Sequence, residues 1–300
     1  MMADHKEDRV IRRLKRWAEE QESVRAVLLT STRASPNADV DLFSDYDVIL
    51  VVTDIFLFFG DRSWLGDFGE VLVIYRDPVQ ALYGFGKFAY ITQYEDGTKI
   101  DFTLWPVEIL VRVIEDPELP PDLDIGYQVL LDKDDITEGM KLPSYRAYTP
   151  SPPNEGEYQE SIEVFFHEAT YVAKHLWRGD LMAAKYSLDH VMKIKKLRTM
   201  LEWRIEIDHH WSLRMRDYGR GLKKVVDPAI WLELESTYVG AGLDENWAAL
   251  FNTITLMRKL ANEVGSRLGY SYPVDLDRRM VVYLEMVRGL DPQTKKFPCG

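Results

Sequence analysis

The residues Thr30-Ser31-Thr32-Arg33, a short loop, and then Ser44-Asp45-Tyr46-Asp47-Val48-Ile49-Leu50-Val51-Val52 decide how this chain is read. The run 48–52 is aliphatic and mostly β-branched, the composition of a strand buried on both faces. Asp45 and Asp47 stand two apart at its mouth. Side chains alternate along a strand, so both carboxylates share a face, about 6–7 Å apart. They repel unless a cation lies between them, which suits a divalent metal better than a core. The Ser/Thr turn upstream offers N–H groups and hydroxyls to a phosphate. Taken singly, that turn is also an ordinary helix cap, and the acids an ordinary solvated strand end. Together they point to metal-dependent nucleotide transfer.

Working outward, residues 6–22 carry Val10, Ile11, Leu14 and Trp17 on one stripe and predict an amphipathic helix. Strands are expected at 24–29, 43–52, 71–75, 88–94 and 99–104, with a loop at 34–41. Asp96-Gly97 marks a hairpin turn between the last two, and Pro106 opens a short helix to about 114. Residues 115–155 are rich in proline and acids and read as a linker with one short strand at 127–131. From 157 onward the pattern is helical: 157–178, 180–204, 228–236, 244–268 and 275–288, broken at Gly179, Gly219–Gly221, Gly240 and Pro273. The expected architecture is an α/β (α+β) domain with a mixed sheet over 1–150 and an all-α bundle over 151–300.

A third acid strengthens the opening reading. Lys99-Ile100-Asp101-Phe102-Thr103-Leu104 alternates as a strand yet carries Asp101. Aspartate is depleted in strands and costly to bury unpaired. Asp101 beside Asp45 and Asp47 makes a three-carboxylate set of the hard-oxygen type that Mg²⁺ prefers. The formal net charge of −12 argues against a polyanionic partner and favours a cationic small molecule. Cys299 is the only cysteine, so neither a disulfide nor a CxxC zinc site is expected. The polar start and short apolar runs predict no signal peptide, no membrane span and a cytoplasmic location.

These motifs resemble the polymerase-β-type nucleotidyltransferase superfamily, and more closely the aminoglycoside 6-adenylyltransferase (streptomycin adenylyltransferase) family. The likeness is carried by residues 24–29, Arg33, Pro36-Asn37 and Ser44-Asp45-Tyr46-Asp47. In the helical half it is carried by 171–181, Ala184-Lys185-Tyr186 and 200–205. The resemblance implies a nucleotidyltransferase domain followed by a helical domain, and transfer of AMP from ATP to an aminoglycoside hydroxyl with Mg²⁺, releasing pyrophosphate. It implies Asp45 and Asp47 as metal ligands, and Asp101 as the base or as a third ligand. Ser31, Thr32, Arg33 and Ser44 would contact the triphosphate. The family usually has Gly-Ser where this chain has Ser31-Thr32, which bears on how closely backbone approaches phosphate.

The helical half is expected to close over the site, with Lys174 and Lys185 meeting the β- and γ-phosphates. Lys193, Lys195 and Lys196 read as a solvated basic run, and His209-His210 as helix surface. Trp105, Glu168, Tyr171 and Trp203 are candidates for binding the acceptor, with His175, Glu206 and His210 on the same helix faces. Two other readings stay open: transfer to another small molecule or a protein, and a silent nucleotide-binding sensor.

Overall fold

Residues 24–30 bury nearly every side chain in turn, because they sit at the centre of a sheet with both faces covered. A computed structural model describes residues 8–36, 38, 40–213 and 217–297. Asn37 and Cys299, both used above, lie outside them, as do Lys6 and Glu7 of the expected first helix. The chain divides into two compact units, Met1–Tyr148 and Thr149–Gly300.

In the first unit, α1 (Arg9–Glu20) leads into β1 (Val24–Thr30) and β2 (Tyr46–Val52). Then come α2 (Phe56–Gly60), β3 (Val71–Arg76), β4 (Gln80–Leu82), β5 (Phe85–Tyr94) and β6 (Lys99–Pro106). The unit continues with α3 (Val107–Glu115), α4 (Pro121–Asp124) and β7 (Tyr127–Asp132). The sheet runs β3-β5-β6-β2-β1-β7, with β4 paired to β5. All pairings are antiparallel except β2 with β6. Mixed pairing was expected; α2, β4 and the short helix Ser63–Phe68 were not.

Alternation assigns the two faces. Val27, Leu29, Val48, Leu50, Phe102 and Leu104 pack on one side beneath α1. Phe102 meets Trp64 and Phe68 there, with ring centroids 4.9 Å apart in both pairs. Ala26, Leu28, Ile49, Val51 and Trp105 pack on the other, beneath α3.

The segment expected to be a linker is instead part of this unit. β7 pairs with β1, and two aspartates tie down the chain after it. Asp132 accepts from the Thr137 amide and hydroxyl at 2.8 and 2.7 Å. Asp124 accepts from the Ser144 amide and hydroxyl at 2.6 and 2.7 Å. Proline and acid content mimicked a linker because the acids cap turns, a use that composition does not reveal.

The second unit is helical: α5 (Glu155–Arg178), α6 (Leu181–Lys185), a π-helical segment (Tyr186–Leu197), α7 (Arg198–Asp208), α8 (Pro228–Glu235), α9 (Leu243–Leu268) and α10 (Val274–Arg288). α5 starts on a reciprocal cap between Asn154 and Glu157 and stops at Gly179, whose φ of 75° suits glycine. The expected helix 180–204 runs on to Asp208, and its middle is wound as a π-helix. His209 and His210 therefore lie past its end, His210 in a turn with φ of 55°.

The widened turns bring Lys193 inward, and it is 1% exposed, not solvated as expected. Its ammonium is 2.7 Å from Asp189, bonds the Thr237 carbonyl and lies 4.5 Å from the Tyr238 ring centre. Burial pushes this lysine below its ordinary range, against the pull of Asp189.

Gly265 allows α9 to approach α5. A Cβ there would lie 2.7 Å from Tyr158 Oη and 2.9 Å from the Tyr270 carbonyl oxygen. Tyr158 cannot simply move, because its hydroxyl donates to the Ala261 carbonyl at 2.9 Å and its ring is fully buried. Gly265→Ala is expected to lower unfolding stability by about 1–3 kcal/mol, the usual cost of overpacking. Urea unfolding measures this.

Candidate active site

Three strands set the site by register. Thr30 on β1 pairs with Asp47 on β2, and Asp47 pairs with Asp101 on β6. All three lie on the α3 side of the sheet, at the end of the layer formed by Ile49, Val51 and Trp105. Asp45 precedes β2, which begins at Tyr46, three residues later than the expected strand opening at residue 43.

The sequence leading into β2 is held by Arg33. Its guanidinium donates to the Ser44 carbonyl at 2.8 Å and the Asp45 carbonyl at 3.1 Å, and stacks 3.8 Å from the Tyr46 ring centre. Asp8 lies 3.8 Å away on another edge. Arg33 thus clamps the backbone beneath Asp45 rather than presenting a free cation to a triphosphate. The Ser44 hydroxyl is similarly engaged, donating to Asp41 at 3.1 Å and accepting from its amide at 2.8 Å.

Ser31 begins a single turn of 3₁₀ helix, Ser31–Ala34, with φ of 62°. That is the left-handed region where glycine is unstrained and other residues lose about 1 kcal/mol. The serine adopts glycine's conformation, and its hydroxyl lies on the side of Asp47, where it opposes the rise of that carboxyl. Thr32 is half-buried beside it.

Like charges dominate the electrostatics. Burial, reinforced by the negative charge of Asp101, pushes Asp47 up to about 6. Burial also raises Asp101 above its ordinary range, opposed by Lys99 and assisted by Asp45 and Asp77. Asp77 is a fourth acid that sequence spacing did not single out. Lys99 Nζ lies 2.6 Å from Asp45 Oδ2 and 3.0 Å from Asp101 Oδ2. Burial pulls that ammonium down, and the two carboxylates more than restore it.

Among the described residues, no three His, Cys, Asp or Glu side chains are gathered to hold a metal ion. The expected set Asp45, Asp47 and Asp101 is near such an arrangement, but Lys99 takes the cation's part. Asp101 Oδ1 remains buried without a hydrogen-bond partner. That free oxygen, the raised Asp47 and the oxygen-only donor set fit a hard divalent cation once Lys99 withdraws.

The remaining candidates fall elsewhere. Trp105 is 1% exposed and packed with Val51, Ile109 and Leu110, so it is a core residue and cannot form a wall for an acceptor. Its alternation with Asp101 and Thr103 points it under α3, which sequence alone does not place. Lys185 is bonded to Asp189 at 2.7 Å and to the Val239 carbonyl at 3.0 Å. Lys174 lies 4.2 Å from the Tyr171 ring centre, and both line a cleft of about 370 Å³ with Trp177 and Phe297. Glu168 is half-buried on the same helix. Trp203 packs against the helical core, and Glu206 is buried, accepting from the Leu213 amide at 3.1 Å.

Asp47→Asn is expected to stabilise the metal-free protein by about 1–3 kcal/mol at pH 8, since two pH units of raised ionisation are relieved. The folded-state value, about 6, lies above the unfolded one. The carboxyl's penalty is therefore absent below about pH 4, grows as pH rises and levels off above about 6. Thermal unfolding in EDTA across that range reads the difference between variant and wild type.

The family model described as streptomycin adenylyltransferase matches residues 5–287. An aminoglycoside 6-adenylyltransferase of Bacillus subtilis (strain 168) is 32% identical over 272 residues, covering 90% of this chain and 93% of that protein. One from Campylobacter jejuni is 28% identical over 262 residues, covering 86% and 88%. A crystal structure of an aminoglycoside 6-adenyltransferase from Bacillus subtilis aligns over 94% of this chain and 97% of its own, at 28% identity and a TM-score of 0.47. With a family match that spans both units, the chain belongs to the streptomycin adenylyltransferase family of nucleotidyltransferase enzymes.

Proposed function

We propose that this enzyme transfers AMP from ATP to a hydroxyl of an aminoglycoside, streptomycin being the first candidate, and releases pyrophosphate. The observation that carries the reading is the in-register pairing of Asp47 with Asp101, with Asp45 at the mouth of the same strand. Nothing in a core or on a solvated edge requires three carboxylates gathered at one end of a sheet.

Asp45 and Asp47 would hold Mg²⁺, with Asp101 Oδ1 available as a third oxygen. Bound there, the divalent cation would offset the negative charge of the triphosphate. Ser31 and Thr32 offer the turn that faces the phosphates, while Arg33 and Ser44 act indirectly by fixing the backbone of Asp45. Asp101 accepts the proton of the acceptor hydroxyl. The acceptor oxygen bonds to the α-phosphorus, the bond from that phosphorus to the β-bridging oxygen breaks, and pyrophosphate leaves with the electron pair. Burial raises Asp101 toward the range in which a carboxylate is an effective base.

The net charge of −12 favours a polycationic acceptor. Lys174, Tyr171 and Glu168 of the helical unit are the remaining proposed contacts to phosphate and acceptor. The positive charge of such an acceptor follows from its amines and guanidines, which stay protonated at neutral pH. The two structural units correspond in this reading to a nucleotidyltransferase domain and a helical domain. No described helix is long and apolar enough to cross a membrane.

Pyrophosphate release is measured with ATP, Mg²⁺ and a panel of aminoglycosides. Turnover with streptomycin is the expected result; ATP binding without turnover on any acceptor would overturn the reading. Asp101→Asn is expected to keep ATP–Mg²⁺ binding by calorimetry while turnover falls by about 10²–10⁴-fold, the range for a positioned base. A parallel loss of metal affinity would make Asp101 chiefly a ligand.

A further inference from the structure

Lys99 lies two residues before Asp101 on β6 and so shares its face of the sheet. Its ammonium bridges Asp45 Oδ2 at 2.6 Å and Asp101 Oδ2 at 3.0 Å. The bridge joins two acids that are 56 residues apart in sequence and come together only through the parallel pairing of β2 with β6. Asp47, the third acid, is not reached by this bridge, and Asp101 Oδ1 is left buried without a partner. One ammonium therefore serves two carboxylates and leaves the set incompletely matched.

A divalent cation held among these carboxylates would need the space and the negative charge that the ammonium now uses. An ammonium still bonded to Asp45 and Asp101 would then be its immediate neighbour, and like charges at that range repel. The two cations exclude one another. Lys99 has a flexible four-carbon stem and a side chain 29% exposed, so it can swing outward.

We propose that Lys99 is a resident counter-cation, holding Asp45 and Asp101 together until a divalent metal displaces it. This rests on the metal-site reading above. The exchange makes the site weak for free metal. It favours metal arriving with a nucleotide, whose phosphates can receive the displaced ammonium. Lys99 is thus a positioning residue that couples metal loading to nucleotide binding.

The test uses Mn²⁺ alone, titrated by electron paramagnetic resonance into the full nucleotide-free chain. Lys99→Met is expected to bind Mn²⁺ at least about tenfold more tightly than wild type, because a neighbouring positive charge has been removed. Lys99→Arg, which keeps the charge, should stay near wild type, and adding Asp45→Asn to Lys99→Met should abolish the gain. Unchanged or weaker Mn²⁺ binding by Lys99→Met, including none detected, overturns the proposal. A lysine that only contacts phosphate gives that result, together with weaker ATP binding.

A measurement on wild type covers the case of a variant that does not fold. With ¹³Cε-lysine labelling, Mg²⁺ should move one lysine resonance toward the solvated group. If no lysine resonance responds at saturating Mg²⁺, the exchange does not occur. Absence of AMP transfer on every acceptor, with the exchange intact, defeats the functional reading and leaves the lysine role standing. Transfer with unchanged Mn²⁺ affinity in Lys99→Met does the reverse.

Discussion

Carboxylates at one level of a sheet repel, and the first unit is arranged around containing that repulsion. Asp47 and Asp101 face each other because β2 and β6 run parallel and in register. Every neighbouring feature moderates the result. Ser31 accepts an unfavourable backbone angle and sets a hydroxyl against the rise of Asp47. Arg33 fixes the carbonyls at the approach to the strand, and Lys99 bridges two of the acids. Negative charge gathered in this way is tolerated where cationic groups lie beside it.

Much of this was visible in the sequence, for identifiable reasons. The run 48–52 has no reading but a buried strand, and Asp101 among apolar neighbours is anomalous wherever that strand lies. Separation along the chain did not hide their meeting, because each acid is abnormal locally. Residues whose roles come from partners were harder to read. Arg33 reads in sequence as a phosphate ligand, and its bonds to the Ser44 and Asp45 carbonyls could not be foreseen, since carbonyl acceptors leave no trace in side-chain identity. Trp105 follows Asp101 at even spacing, and only the position of α3 shows that its end of the strand is covered.

The helical unit shows the same division. Its helices and their glycine stops follow from periodicity and capping. Lys193 does not, because its closeness in sequence to Lys195 and Lys196 reads as a solvated basic run. The π-helical winding changes the residue count per turn and carries it into the core, where Asp189 and the Thr237 carbonyl receive it. Local winding of this kind is a response to packing, and no single residue announces it.

The tight turn at Asp96-Gly97 gives the site an unusual sensitivity to length. Gly97, with φ of 86°, closes the hairpin between β5 and β6 a few residues before Asp101. One residue added there would move β6 by a step and reverse its faces. Asp101 would turn toward Trp64 and Phe68, and Ile100 or Phe102 would take its place opposite Asp47. Substitutions across the turn can be absorbed one at a time, whereas an insertion or deletion erases the site in a single event. Through this hairpin, the spacing of the gene's codons matters as much as their identity.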